Sequence, residues 1–194
     1  MFFRSFRCDK IRIMSQYNEG DLISPENLIP QLNITSGMQV ADFGCGSGHM
    51  TMALAKIVGK DGFVNASDVQ KSALETVKNK AMALNLENIA YIHADLEVIG
   101  STRISELTQD AVFISQALFQ SKKKEEILKE ALRILKTGGL LIMIEWKKGS
   151  GGLGPPDDLR SSEDLLKSIS ESIGFHFEKN LNVDKFHVGL VFEK

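Results

Sequence analysis

The feature of this chain that most restricts its fold is a series of short, nearly all-apolar runs separated by segments with helical spacing. A strand exposed on one face alternates apolar and polar residues, whereas a strand covered on both faces is apolar throughout. Runs such as AVFIS at 111–115 and LLIMIEW at 140–146 show no alternation. The pattern therefore predicts an α/β fold, with a mostly parallel sheet and helices packed on both of its faces.

The boundaries of these elements are marked by glycine, proline and small polar residues. Strands are expected at about 38–43, 62–67, 89–93, 111–115 and 140–146. Short helices are expected at about 24–33, capped by Ser24, and at 51–58, ended by Gly59. Two further helices are expected from their apolar faces: Leu74, Val77, Ala81 and Leu84 in one, and Ile127, Leu128, Ala131, Leu132 and Leu135 in another that ends at Gly138-Gly139.

The C-terminal part departs from this alternation. Gly149–Leu159 is rich in glycine and proline and is expected to be either a lid over a binding site or a plain surface loop. Ser161-x-x-Asp164 is typical of the start of a helix, which Gly174 would end. The runs FHFEK and KFHVGLVFE then follow with a very short link, and so short a link permits only an antiparallel hairpin.

Composition excludes several classes of function. The 194 residues suit one domain, and a net charge of −2 gives no overall field that attracts nucleic acid. No apolar segment reaches the length of a membrane span, so no membrane association is expected. Cys8 and Cys45 lack the spacing of a disulfide framework or a metal site, and a cytoplasmic location is expected.

The N-terminal segment MFFRSFRCDKIRIM is basic and aromatic but has no continuous apolar core. It is either a targeting segment or, as we favour, an extension preceding a functional start at Met14. The expected organisation is an extension at 1–23 and a single domain at 24–194.

The stretch VADFGCGSGHM, at 40–50, places a glycine-rich turn between the first strand and the following helix. Such a turn offers backbone N–H groups to a ligand at the carboxyl edge of a sheet. A phosphate-binding P-loop would need Gly-Lys-Ser/Thr, but His49 follows Gly48. A dinucleotide site would need a third glycine at position 49, which is also missing.

Several landmarks occur in order and together identify a family. VADFGCGSG is followed by Asp68 at the end of the second strand, by Asp95 in HADLE, and by RILKTGGLLIMIEW. With these landmarks, residues 24–194 resemble the class I S-adenosylmethionine-dependent methyltransferases, most closely the small bacterial-type proteins. The resemblance implies a Rossmann-like, doubly wound sheet of seven strands, mostly parallel, with an antiparallel strand supplied by the C-terminal hairpin.

The resemblance also implies a cofactor, S-adenosylmethionine, and a set of residues that hold it. The implied cofactor-binding residues are Asp42, Gly44, Cys45, Gly46, Gly48, Asp68, Val69, Asp95, Leu96 and Ser115. Asp42 would face the amino group of the cofactor and Asp68 its ribose hydroxyls, while Asp95 would bind the adenine. Asp42 and Asp95 have alternative interpretations as a turn residue and a helix cap. Cys45 is expected to pack and not to act as a nucleophile, since no basic residue adjoins it.

The acceptor side is less readable, because methyl transfer mainly needs orientation, and a base only if the acceptor loses a proton. Ser115, Gln116 and His187 are the acceptor-side candidates. SQALF stands where amino-group methylases of the family carry Asn/Asp-Pro-Pro-Tyr/Phe, and two cysteines are too few for arsenite. A small molecule is the expected acceptor, with a protein side chain as the alternative, and the oligomeric state stays open.

Two other functions compete with methyl transfer. A nicotinamide-dependent oxidoreductase is disfavoured by His49 and by the terminal hairpin. A non-catalytic subunit that binds the cofactor or stabilises a partner is not excluded by the sequence, because fold does not fix function.

Overall fold

The computed structural model describes residues 23–194, and seven strands form a single sheet in the order β3-β2-β1-β4-β5-β7-β6. Their bounds are β1 Gln39–Phe43, β2 Phe63–Asp68, β3 Ile89–His93, β4 Gln109–Ser115, β5 Leu135–Trp146, β6 His176–Leu181 and β7 His187–Glu193. Cys8 and nearly all of the predicted extension lie outside the described residues.

Within the described residues, five helices cover the sheet: α1 Pro25–Leu28, α2 His49–Val58, α3 Lys71–Ala83, α4 Lys124–Ile134 and α5 Glu163–Ile173. A 3-10 turn at Ile29–Gln31 continues α1. On one face, Leu28, Leu54 and Val77 bring α1, α2 and α3 into one apolar core. On the other face, α4 and α5 form a second core through Leu128 and Leu166. No helix among residues 23–194 is long and apolar enough to cross a membrane.

The strand directions confirm the predicted Rossmann-like, doubly wound topology. Strands β1 to β5 pair in parallel, while β7 runs antiparallel between β5 and β6. Parallel pairing brings the carboxyl ends of β1, β2 and β4 to one edge of the sheet. The β5–β7 register also places His187 beside Trp146 at that edge.

The predicted end of the fourth helix was wrong. Helix α4 stops at Ile134, and Leu135 already pairs with Gln109 as the first residue of β5. The register shifts between Gln109 and Ala111, and Gly138, with φ of 74°, lies inside the strand instead of ending the helix. Leu135 is fully buried in either setting, so its apolar character did not separate a helix from a strand.

Smaller differences concern the ends of three helices. Leu84 caps the end of α3 and is 46% exposed, so it does not extend the apolar face. Ser162, one residue after the predicted cap, accepts a hydrogen bond from the Leu165 N–H through its hydroxyl oxygen (3.3 Å). The Ser24 hydroxyl donates to the Glu26 carboxylate (2.8 Å) and makes no capping bond to the backbone.

Candidate functional site

An open cleft of about 1790 Å³ lies at the carboxyl edge of the sheet. Its wall combines the turn after β1, the ends of β2, β3 and β4, and the loop between β5 and α5. Most of the residues expected from the sequence line this cleft: Asp42, Gly44, Cys45, Gly46, Asp68, Val69, Asp95, Leu96, Ser115 and Gln116. Gly48 and His187 are buried next to it without lining it.

The turn between β1 and α2 contains three glycines with positive φ, Gly44, Gly46 and Gly48. A Cβ on Gly48, whose φ is 79°, would lie 2.8 Å from Val77 Cγ2 of α3. Helix packing therefore requires glycine at 48, independently of any ligand. Gly46 lies against open space, since a Cβ there would meet only the Gly44 carbonyl oxygen at 3.8 Å. The main chain at Gly46 is thus accessible to a bound molecule.

Asp42 is the next-to-last residue of β1 and a buried acid, with 2% of its surface exposed. The Thr51 hydroxyl of α2 donates to Asp42 Oδ2 (2.5 Å). Burial raises the pKa of Asp42 to about 6, against the Thr51 hydrogen bond and with the help of the nearby Asp68 charge. A positive ligand group beside this carboxyl would favour its ionised form.

Asp68 ends β2, and backbone donors hold its carboxylate from two sides. The Gly46 N–H donates to Oδ2 (3.0 Å) and the Gln70 N–H donates to Oδ1 (2.8 Å). A carboxylate has about four acceptor positions, so each oxygen keeps a free one. Asp68 is thus a fixed acceptor suited to a pair of neighbouring hydroxyls.

The residues that follow β2 and β3 give the cleft a rim that contains both apolar and polar side chains. Val69 is 60% exposed, which is unusual for a valine, and it lines the cleft near Leu96 and Asp95. Asp95 Oδ1 accepts from the Glu97 N–H (3.0 Å) in a local turn, and no helix follows it directly. His93 Nε2 contacts the Val69 carbonyl oxygen (3.0 Å) and fixes the backbone of the rim.

Cys45 is a packing residue in this geometry. It is 7% exposed and belongs to the core that contains α2 and α3. Burial, together with the charges of Asp42 and Asp68, raises the pKa of its thiol. A thiol that stays protonated is a poor nucleophile.

Of the three acceptor-side candidates, two line the cleft and the third, His187, is buried beside it. Ser115 and Gln116 both line the cleft, and Gln116 adopts a positive φ of 52°. The side chain of His187 has no exposed surface, and its Nε2 lies 2.7 Å from Gln116 Nε2. Through this contact His187 is connected to the cleft without lining it.

The Gly149–Arg160 loop covers the same end of the cleft. Arg160, which is 6% exposed, donates to the carbonyl oxygens of Lys147 (3.0 Å), Leu153 (2.5 Å) and Pro155 (2.9 Å). It also donates to the Ser150 hydroxyl oxygen (2.7 Å). One guanidinium thus ties together four acceptors, and the loop is ordered at the mouth of the cleft.

Trp146 connects this loop to the sheet. A Cβ on Gly154 would lie 2.5 Å from the Trp146 ring, and the centroid of the His187 ring lies 4.2 Å from that of Trp146. The Arg160 guanidinium lies 5.7 Å from the ring centroid. Trp146, Leu153 and their neighbours form an apolar cluster beside Gln116.

Glu145 is a buried acid near the end of β5, next to Trp146 in the chain. Its Oε1 accepts from the Leu118 N–H (2.7 Å), and its buried Oε2 has no hydrogen-bond partner among residues 23–194. Burial raises the pKa of Glu145 to about 7, although the backbone N–H groups of 117–119 and the Lys124 charge oppose the shift. The carboxyl braces the turn that follows β4.

The sequence interpretation missed three polar residues of this region: Glu145, Arg160 and Asp184. Glu145 had a visible signal, since it interrupts an otherwise apolar strand. Asp184 lies three residues before His187, a spacing that a hairpin brings together. Arg160 had no signal, because its four acceptors are set by the path of an irregular loop.

A family model described as a methyltransferase domain matches residues 34–175. The ubiquinone/menaquinone biosynthesis C-methyltransferase UbiE of Pseudomonas paraeruginosa is 30% identical over 121 residues, which are 62% of this chain and 46% of that protein. The UbiE protein of Haemophilus ducreyi is 33% identical over 116 residues, 59% of this chain and 44% of that protein. The chain thus spans less than half the length of these curated relatives.

Among solved structures, a SAM-dependent methyltransferase from Aquifex aeolicus is similar over nearly the whole chain. The two share 27% sequence identity with a TM-score of 0.82, covering 95% of this chain and 97% of the other. This similarity covers more of the chain than the family model, which ends just before the C-terminal hairpin.

Proposed function

The chain belongs to the class I S-adenosylmethionine-dependent methyltransferases, and on that premise we propose that it transfers a methyl group to a small-molecule acceptor. The observation that carries the proposal is the cleft. One end of it has the accessible Gly46 backbone and the fixed Asp68 carboxylate, and the other has Gln116 under an ordered loop. The two ends together suit a cofactor and an acceptor held in one open volume.

The residues at the first end fit S-adenosylmethionine. The free acceptor positions of Asp68 suit the ribose diol, and the exposed Val69 side chain offers an apolar surface to the adenine. Asp42 would meet the amino group, while Asp95 and Leu96 would bind and cover the adenine edge. The methionine part of the cofactor would lie along the turn formed by Gly44, Cys45 and Gly46. Gly48 would keep this turn in place through its close contact with Val77.

When bound, the cofactor supplies an electrophilic methyl group on a sulfonium. The acceptor provides the electron pair of the new bond, and the pair of the broken bond stays on sulfur, giving S-adenosylhomocysteine. The chain itself would align the acceptor from the Ser115 and Gln116 end and exclude water with the Gly149–Arg160 loop. No base is assigned, because the Gln116 amide cannot take up a proton and His187 lies behind it.

The surroundings of the acceptor end favour a molecule with an apolar body. Phe119, Leu153 and Trp146 line the cleft there. The curated relatives are named as C-methyltransferases of ubiquinone and menaquinone biosynthesis, so a ring carbon is the first acceptor class to test. We further propose that residues 24–194 form a single domain and that 1–23 is an extension of it.

The proposal is tested first by calorimetric titration with S-adenosylmethionine, S-adenosylhomocysteine and, as a control, NADH. Asp68→Ala is expected to weaken binding of both sulfur compounds at least tenfold, about the loss from removing hydrogen bonds to a charged acceptor. Asp61→Ala, which changes an exposed acid in the turn before β2, is the matched control and is expected to bind like the parent protein.

Transfer is then followed with S-adenosylmethionine labelled in its methyl group and a panel of reduced quinones and phenols. Label in an extractable product would support the activity. A folded chain that binds neither sulfur compound would contradict the proposed function. Binding without transfer to any small molecule would favour the alternative of a non-catalytic, cofactor-binding subunit.

A further inference from the structure

Three side chains form a continuous hydrogen-bonded line from the C-terminal hairpin to the cleft. The Asp184 carboxylate accepts from His187 Nδ1, with Oδ2 at 2.8 Å and Oδ1 at 2.9 Å. The other ring nitrogen, Nε2, lies 2.7 Å from Gln116 Nε2. The side chains of Asp184 and His187 are 5% and 0% exposed, while Gln116 lines the cleft. The line therefore has a buried end and an end that a ligand can touch.

The buried end is fixed by the backbone. Asp184 Oδ1 also accepts from the N–H groups of Phe186 (2.7 Å) and His187 (2.9 Å). Burial on its own would raise the pKa of Asp184, but the hydrogen bonds from His187 and from these backbone groups lower it below its ordinary value. The carboxylate is thus ionised and cannot rotate away from the imidazole.

The ionised Asp184 fixes the proton position on His187 and, through it, the orientation of the Gln116 amide. Because it accepts the proton of Nδ1, a neutral imidazole keeps only a lone pair at Nε2. The group that faces Nε2 must then be a donor, which is the NH₂ of the Gln116 amide. The amide oxygen Oε1 is left on the other side, and no hydrogen bond from residues 23–194 reaches it.

The backbone of Gln116 is also held in an unusual conformation. Its φ of 52° lies in the left-handed region that glycine favours. Its N–H donates to the Ile144 carbonyl oxygen (2.8 Å), and its carbonyl oxygen accepts from the Gln120 side chain (3.3 Å). Such conformations persist where the surroundings enforce them, and they concentrate at functional sites.

We propose that the buried Asp184–His187 pair is a positioning device that turns the carbonyl oxygen of Gln116 toward the methyl acceptor. The inference rests on the proposed function and narrows its substrate class. The acceptor is a molecule that donates a hydrogen bond, through a hydroxyl or N–H group close to the atom that is methylated. Gln116 contacts this molecule, and Asp184 and His187 act through Gln116.

The first test needs no acceptor. Nitrogen-15 NMR of the histidine side chains in the full chain is expected to show His187 protonated at Nδ1 and bare at Nε2. His93 is the internal control of opposite type, because its Nε2 contacts a carbonyl oxygen and is expected to carry the proton. A proton on Nε2 of His187 in the parent protein would overturn the proposal.

Asp184→Asn distinguishes a role in orienting the Gln116 amide from a purely structural role in the hairpin. The two backbone donors would hold the Asn oxygen, so its NH₂ would face Nδ1 and move the imidazole proton to Nε2. Gln116 would then turn its NH₂ toward the cleft. The NMR spectrum is expected to show the exchanged tautomer in a protein that still binds S-adenosylhomocysteine with unchanged affinity. An unchanged tautomer in the folded variant would contradict the positioning role.

The acceptor class is tested with two probes, phenol and anisole, titrated into the protein loaded with S-adenosylhomocysteine. Phenol can donate a hydrogen bond and anisole cannot. In the parent protein phenol is expected to bind about three- to tenfold more tightly, the range of one neutral hydrogen bond. The ratio is expected to fall to about one in Gln116→Met and to one or below in Asp184→Asn.

Each outcome bears on a different statement. Equal affinities in the parent protein, or no phenol binding, would overturn the acceptor class while leaving the proposed function intact, since the cofactor product still binds. A preference for phenol that survives in Gln116→Met would overturn the role of Gln116. Failure of S-adenosylhomocysteine to bind the parent protein would instead contradict the proposed function itself.

Discussion

Asp42 and Asp68 lie at the carboxyl ends of neighbouring strands, yet their carboxylates have different surroundings. Asp68 accepts from two backbone N–H groups, whereas Asp42 is more deeply buried and accepts from one hydroxyl. Both acids were singled out in the sequence, because each lies within two residues of the carboxyl end of a strand, at the edge where doubly wound sheets bind ligands. Asp184 was not predicted, although its partners Phe186 and His187 are close in sequence, because the apolar and polar pattern of the link does not show which way its side chain turns.

A pH dependence of cofactor binding follows from the assignment of Asp42 to the amino group of the cofactor. Burial gives Asp42 a pKa of about 6, and a bound cation requires its ionised form. Affinity for S-adenosylmethionine is therefore expected to be constant above pH 6 and to fall below it, by up to about tenfold per pH unit. Calorimetric titrations between pH 5 and pH 8 measure this slope.

Asp42→Asn is the control for this prediction. The variant is expected to bind more weakly at neutral pH and to lose the part of the slope that comes from Asp42. His49 also lines the cleft, so any slope that it causes would remain in the variant. An identical slope in the two proteins would contradict the role of Asp42.

At the scale of the elements, sequence patterns located the strands and most helices but not every junction. The α4–β5 junction was misplaced because Leu135 is buried both in a helical pattern and in the strand where it lies. The glycine turn was predicted between the first strand and the following helix, and it lies there at the edge of the cleft. The reason for Gly48, however, is the contact between α2 and α3, which the local sequence does not reveal.

Replacing Gly48 by alanine is expected to destabilise the fold by about 2–4 kcal/mol. The left-handed backbone costs about 1–2 kcal/mol for a residue with a Cβ, and overpacking against Val77 adds about 1–2 kcal/mol. Urea unfolding measures the loss. Adding Val77→Ala is expected to relieve the clash, so the double variant loses less stability than the two single losses combined.

Gly100→Ala is the matched control for the backbone contribution. Gly100 has a φ of 83° and no neighbour within 4 Å of an added Cβ, so its replacement is expected to cost only the left-handed conformation. A Gly48→Ala variant no less stable than Gly100→Ala would show that the helix contact is not a constraint.

For the molecule as a whole, the buried Glu145 affects both the stability of the fold and the turn that lines the cleft. Glu145 interrupts the apolar run of β5, and the turn after β4 rests on it. The periodicity predicted the layers, while the resemblance to the methyltransferases implied the single sheet of seven strands and its antiparallel strand. Neither predicted that Glu145 would be buried with one oxygen lacking a hydrogen-bond partner among residues 23–194, because such an oxygen costs free energy and its burial is set by the tertiary structure.

Glu145 is expected to make the folded protein less stable as the pH rises. Its pKa is raised from 4.5 to about 7, so the folded state holds the proton more tightly than the unfolded chain. This contribution is fully present below pH 4.5 and is lost as the pH rises through 7. Glu145→Gln, which is neutral at all pH values, is expected to be more stable than the parent at pH 8, by up to about 3 kcal/mol.

Urea unfolding at pH 5 and pH 8 measures this difference. Glu178→Gln, at an exposed position of β6, is the control and is expected to leave the pH dependence of the parent unchanged. A Glu145→Gln variant with the same loss of stability between the two pH values would show that Glu145 is not the acid responsible.

The four hydrogen bonds of Arg160 restrict how the Gly149–Arg160 loop can move. One guanidinium holds acceptors spread from Lys147 to Pro155, so moving any one of them disturbs the side chain that holds the others. We therefore expect the loop to open as one unit. If molecules enter and leave through this end of the cleft, acceptors of very different reactivity would share one upper limit on turnover, and the limit would belong to the protein and not to the chemistry.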